Sequence, residues 1–180
     1  MIAAAQTSKG AFAMDRTLRT TTEAIDHVWK MMDDIRTCML VTKHGLALRG
    51  RPMHAMPSRE EGCIWFLSDR RGHKEEELER DPQGALIFAH PGRNDYLSVS
   101  GETEVSVDRA KIDELWNDAA RAFWPEGKAD PNICVLRFLP EDAEYWDGPS
   151  SSVLIALKMA TARMTGETPD LGESRKVPLG

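Results

Sequence analysis

Between residues 38 and 139 the chain is a succession of short apolar runs, most of them closed by turn residues, and this pattern narrows the fold more than any other feature. Parallel strands need crossover connections of a dozen or more residues, whereas antiparallel neighbours can be joined by tight turns. The spacing therefore predicts a mainly β (α+β) fold: a small antiparallel barrel with helices at its ends.

The elements follow from periodicity and punctuation. Thr20-x-x-Glu23 has the form of a capping box, and Ile25, Val28, Met32 and Ile35 recur at helical spacing, predicting an amphipathic helix over 21–35. Residues 38–42 read as a strand, Lys43-His44-Gly45 as a turn and 46–55 as a second strand, together a hairpin. Pro52 removes a donor from that second strand, so it belongs at an edge, a bulge or a strand end. Strands are also expected over 63–68 and 85–89, with a short charged helix over 73–80 between them, and the first four strands read as a meander. A long strand over 96–107 carries Gly101, a sign of a bend or bulge. Asp108 caps a helix over 109–123, and 133–139 is a strand that 144–146 can continue. Residues 153–163 read as helical, with an extended surface tail from Thr165. The expected divisions are a flexible N-terminal tail over 1–16, the barrel domain over 17–148, and a C-terminal helix and tail over 149–180, with Met14 an alternative start.

Composition removes several function classes. Hydrophobic residues at 41% and charged residues at 29% are globular values, not those of a disordered chain. The net charge of −6 is opposed to the basic surface a nucleic-acid binder needs. The longest apolar runs fall far short of the ~20 residues of a bilayer span. Three cysteines, Cys38, Cys63 and Cys134, sit in apolar runs without a C-x-x-C, which predicts buried free thiols in a reducing, cytoplasmic setting. The five histidines (27, 44, 54, 73 and 90) have no metal-ligand spacing, so no metal site is expected.

The charge is uneven. Residues 43–74 hold seven Lys/Arg against three acids, a +4 island that leaves −10 for the rest. The island comprises Arg49-Gly50-Arg51-Pro52-Met53 on the second strand and Asp69-Arg70-Arg71-Gly72-His73-Lys74 in a loop entering a helix. Free N–H groups at a helix start, a bidentate Arg and a Lys point charge suit a small phosphate; a solvated basic face is the alternative. Five tryptophans, Trp29, Trp65, Trp116, Trp124 and Trp146, supply surfaces for a planar ligand or for the core. No G-x-G-x-x-G, Walker loop, G-x-S-x-G or H-E-x-x-H is present.

The ordered series of motifs resembles the general stress protein 26 group of the pyridoxamine 5'-phosphate oxidase-like, FMN-binding split-barrel superfamily. It runs through 38–42 (CMLVT), Arg51-Pro52-Met53, 64–67 (IWFL), Lys74 with Glu77-Leu78, Asp81-Pro82 and Val99-x-Gly101. Leu115-Trp116, Trp124-Pro125-x-Gly127, Asp130-Pro131 and Glu144-Tyr145-Trp146-Asp147 complete it. The resemblance implies a six-stranded antiparallel split β-barrel with flanking helices, assembled as a homodimer with FMN in a cleft at the interface. On it, Arg51, Pro52 and Met53 line the flavin, Arg51 and Lys74 hold the phosphate, and Leu67 and Ser68 lead into the phosphate loop. Tyr96 lies across from the ring, and Trp116 and Trp146 approach from the partner subunit.

Two departures qualify what the resemblance implies. The family's phosphate loop often has Ser-x-Lys with a second basic residue between, whereas here it is Gly72-His73-Lys74. One hydroxyl is lost and His73 stands in place of a permanent cation; unless Ser68, Arg70 or Arg71 compensates, flavin binding is expected to be weaker and more pH-dependent. The chain also ends in Arg175-Lys176-Val177-Pro178-Leu179-Gly180, without the Arg-rich segment that binds substrate phosphate in true pyridoxamine phosphate oxidases. The expectation is an FMN-dependent oxidoreductase acting on a small substrate with a nicotinamide or other donor, and not on vitamin B6. The alternatives are a non-catalytic flavin-binding or flavin-sensing stress protein and an F420-dependent reductase of the same fold.

Overall fold

The computed structural model describes residues 7–72, 74–147 and 173–180, together with Met159 and Arg163. Helix α1 (Thr7–Ile35) leads into strand β1 (Thr37–His44) through Arg36, which takes a positive φ of 58°. The chain continues through β2 (Ala47–His54), β3 (Met56–Ser58), β4 (Cys63–Asp69), α2 (Lys74–Arg80), β5 (Gln83–His90) and β6 (Asp95–Ser106). Helix α3 (Arg109–Leu115), β7 (Ile133–Asp147) and β8 (Glu173–Pro178) complete it.

All strands join one antiparallel sheet in the order β2-β1-β5-β6-β7-β4-β3, with β8 on the far side of β7. The architecture is the expected mainly β one, but among the described residues the strands number eight rather than six. The expected second strand ends at His54, and β3 begins after Ala55 and pairs with β4. The C-terminal segment, expected as an extended tail, ends as β8 on β7. The expected meander is also corrected: β4 pairs with β7, and β5 returns to β1. The two ends of this path, β2 and β3, are separated in sequence by Ala55 alone. Among the described residues the sheet is therefore not closed: the chain passes from β2 to β3 at Ala55 without a ladder between β2 and β4, and this gap is the opening of the barrel.

Alternation makes the interior. Cys38, Leu40 and Thr42 of β1 point inward, as do Ile64, Phe66 and Ser68 of β4 and Leu86 and Phe88 of β5. Leu40, Phe66, Leu86, Phe88, Val99, Leu136 and Phe138 are fully buried. Each contributes roughly 1.5–3 kcal/mol relative to exposure. Val28 and Met32 of α1 close one end of this core. A smaller cluster of Ile112, Trp124, Ile133 and Val135 packs outside β4 and β7, with Trp65, Leu67 and Trp116 against it.

The local signals fared unequally. The ladder between β6 and β7 shifts register between Ser100 and Gly101, as the glycine predicts. A Cβ on Gly101 would stand 2.1 Å from the Leu139 carbonyl oxygen, so only glycine admits this approach. Asp108 caps α3, accepting from the Ala110 N–H at 2.9 Å and the Lys111 N–H at 3.3 Å. The helix expected over 109–123 stops at Leu115, because Trp116 turns extended at ψ 129° and Asn117 Oδ1 caps a new turn at the Ala120 N–H. Thr20 lies inside α1, so no helix starts at the Thr20-x-x-Glu23 box, and α1 reaches back to Thr7, into the stretch expected as a tail. The helix expected over 153–163 lies outside the described residues except for Met159 and Arg163, both helical. No helix among the described residues is long and apolar enough to cross a membrane.

Candidate cofactor site

The opening of the barrel is where the basic island collects. Among the described residues, strand β2 is the edge of the sheet and pairs with β1 alone. Half of its backbone N–H and C=O groups therefore face away from any ladder. Pro52, opposite Met39, sits on this edge, as its missing N–H requires. Leu40 faces Arg51 across the hairpin, and Gly45 at φ 62° turns the two-residue loop that sets this register.

Arg51 reaches from β2 to helix α2. Its Nη2 donates to Glu77 Oε2 at 2.6 Å and its Nη1 to Thr42 Oγ1 at 2.8 Å. The same carboxylate accepts from Thr42 Oγ1 at 3.2 Å and from Arg49 Nη1 at 3.3 Å, and His44 Nδ1 lies 2.9 Å from Oε1. Burial pushes the Glu77 carboxyl up, but the Arg51 guanidinium and the Thr42 and His44 hydrogen bonds outweigh it and hold the group below the usual carboxylate range. Lys43 Nζ to Asp81 Oδ2 at 2.8 Å ties down the segment just after α2. Helix α2 is thereby docked on the hairpin, with Lys74 one turn ahead of Glu77.

The expected site residues fall into four places. Arg51, Pro52 and Met53 lie on β2, with Arg51 and Met53 half-buried, and Lys74 opens the helix that Arg51 holds. Leu67 is half-buried and Ser68 is 3% exposed on β4, across the opening. Trp116 lies on the flank, its ring 6.2 Å from that of Trp124, beside a pocket lined by His54, Met56, Leu67, Asn117, Phe123 and Trp124. Tyr96 and Trp146 are cross-strand partners on β6 and β7. At ~4.8 Å per strand, β6 is about 14 Å from β2, so this pair is not brought to Arg51 within one chain. His73 lies outside the described residues.

Sequence inspection quoted Glu77 without giving it a role, and it passed over Thr42 and His44. The spacing of Glu77 three residues after Lys74 was visible; the convergence of residues 42, 44, 49 and 51 on it arises only from hairpin register.

The cations gathered at the sheet edge suit an anion, and the edge backbone beside them is unpaired among the described residues. A profile of the family described as pyridoxamine 5'-phosphate oxidase like matches residues 23–170. General stress protein 26 of Bacillus subtilis (strain 168) is 29% identical over 82 residues, 44% of this chain and 58% of that protein, so the match spans little more than half of the relative. A crystal structure described as a candidate general stress protein 26 from Jannaschia sp. CCS1 superposes with a TM-score of 0.70 at 28% identity, covering 87% of this chain and 99% of that one. A general stress FMN/FAD binding protein from Xanthomonas citri gives a TM-score of 0.65 at 30% identity, over 73% and 93% of the two chains. With its barrel, its opening and a match over most of its length, the chain belongs to the pyridoxamine 5'-phosphate oxidase-like family.

Proposed function

We propose that this protein binds FMN in the opening between β2 and β4, as a homodimer with the cofactor at the interface, and acts as an oxidoreductase on a small molecule. The observation that carries this reading is the cation cluster at the edge strand, Arg51 with Arg49, beside β2 backbone left unpaired. Arg51 and Lys74 bind the phosphate, and Pro52 and Met53 place β2 backbone against the ring. Leu67 and Ser68 form the opposite wall. When bound, the flavin supplies hydride or electron transfer, so the chain itself needs no dedicated acid or base.

Support for a second copy comes from the outer sheet face. Met39, Ile87, Tyr96 and Trp146 are 39–41% exposed there, with Pro52 next to Met39 at the edge. A second copy laid on this face covers them and offers its Tyr96 and Trp146 to the site. The Xanthomonas citri relative is described as an FMN/FAD binding protein, which agrees with a flavin here.

The test is to titrate the protein with FMN and then add NADH or NADPH without oxygen. Binding with bleaching of the flavin band supports an oxidoreductase. Binding without reduction by any donor favours a flavin-carrying or flavin-sensing role, and selective binding of F420 moves the assignment to the deazaflavin.

A further inference from the structure

We propose that Glu77 is a positioning residue that gathers Arg51 and Arg49 into one two-guanidinium cradle for a phosphomonoester dianion. This rests on the flavin reading and adds to it Glu77 as the group that holds Arg49 beside Arg51.

The geometry separates the groups by depth. The Glu77 side chain is 9% exposed and Thr42 1%, whereas the side chain of Arg51 is 18% and that of Arg49 52% exposed. The carboxylate is thus more buried than either guanidinium group, and Arg51 and Glu77 share Thr42 Oγ1 as a buried partner. A carboxylate competing with ligand would stand on the solvent side. Arg51 has five N–H donors; one goes to Thr42 and one to Glu77, and among the described residues the other three have no partner. Arg49 spends one on the same carboxylate.

Charge gives the same answer. Two guanidinium groups drawn to one point repel each other unless an anion lies between them, and Glu77 is that anion, bridging Arg51 through Oε2 and Arg49 through Oε1. Lys43 and His44 are the other cationic or titratable groups on the facing strand; Lys43 is paired with Asp81, and His44 meets the same Oε1 as Arg49. The cluster of Arg49, Arg51 and Glu77 keeps a net charge of +1 with fixed donors, which suits a phosphate. A neutral ligand end gains nothing from it.

The experiment compares FMN with riboflavin, which lacks the phosphate, on wild type, Glu77→Ala, Glu77→Gln and Arg49→Ala. The cradle predicts that Glu77→Ala and Arg49→Ala lower FMN affinity about tenfold or more while riboflavin affinity holds, with Glu77→Gln between wild type and Ala. Thermal melts identify any variant that fails to fold, in which case Glu77→Gln and Arg49→Ala carry the comparison. The cradle is overturned if Glu77→Ala binds FMN as tightly as wild type or tighter, or if FMN and riboflavin affinities fall together. Wild type that binds neither compound overturns the flavin reading itself, and the cradle with it.

Discussion

Tyr96 and Trp146 face each other across the β6–β7 ladder, 41% and 40% exposed, on the side of the sheet turned away from the core. An aromatic pair at opposed cross-strand positions adds to sheet stability, and the exposed part of each ring is apolar area left in water. The dimer proposal makes this pair part of the subunit contact. Light scattering on a size-exclusion column is expected to give twice the 20.1 kDa chain mass for wild type and the single-chain mass for Trp146→Glu. A wild-type mass of one chain, or an unchanged dimer in the variant, removes this face from the interface.

Gly101 supports a prediction about stability alone. Its missing side chain lets the Leu139 carbonyl and the Phe138 ring come closer than any Cβ allows. Gly101→Ala forces the bulge apart and is expected to cost about 1–3 kcal/mol, read as a lower urea midpoint. An unchanged midpoint contradicts the close approach.

The thiols are expected to be inert in the folded protein. Cys38, Cys63 and Cys134 are buried and outside any disulfide, and burial pushes the Cys38 thiol up to about 12 and raises Cys63 as well. Thiolate is the reactive form, so a disulfide reagent should titrate none of the three natively and all three in denaturant. Rapid native labelling of any of them contradicts this placement.

Glu77 also makes stability depend on pH. Its folded value lies below the ordinary 4.5, so its stabilisation is complete above that value and is lost as pH falls through the folded one. The urea midpoint of wild type should therefore exceed that of Glu77→Gln at pH 7, with the gap closing on acidification below pH 4.5. A gap that stays constant with pH shows that the charge of Glu77 plays no part.

What the sequence made legible was local. Short apolar runs closed by turn residues located six of the eight strands described, Pro52 marked the edge, Gly101 the bulge and Asp108 the start of α3, because each is decided by local sequence and backbone chemistry. Strand order was not legible: β1 meets β5, and β4 meets β7, across long stretches of chain, and the meander suggested by short turns failed there. The same holds for the site. Arg51 and Lys74 were visible as cations in a motif, whereas the meeting of Arg51, Arg49, Thr42 and His44 on Glu77 depends on hairpin register and on how α2 docks. Leu115 ends α3 because Trp116 turns extended, which no apolar periodicity through residue 123 announces.

FMN titration of wild type beside Arg51→Ala, followed by quenching of flavin fluorescence, bears most directly on the central proposal. Saturable binding by wild type is expected, weakened in the variant by about 1.5–3 kcal/mol, the range for a hydrogen bond to a charged group. A wild-type protein that leaves FMN fluorescence unchanged, or an Arg51→Ala variant that binds FMN equally well, contradicts the assignment of this opening as a flavin phosphate site.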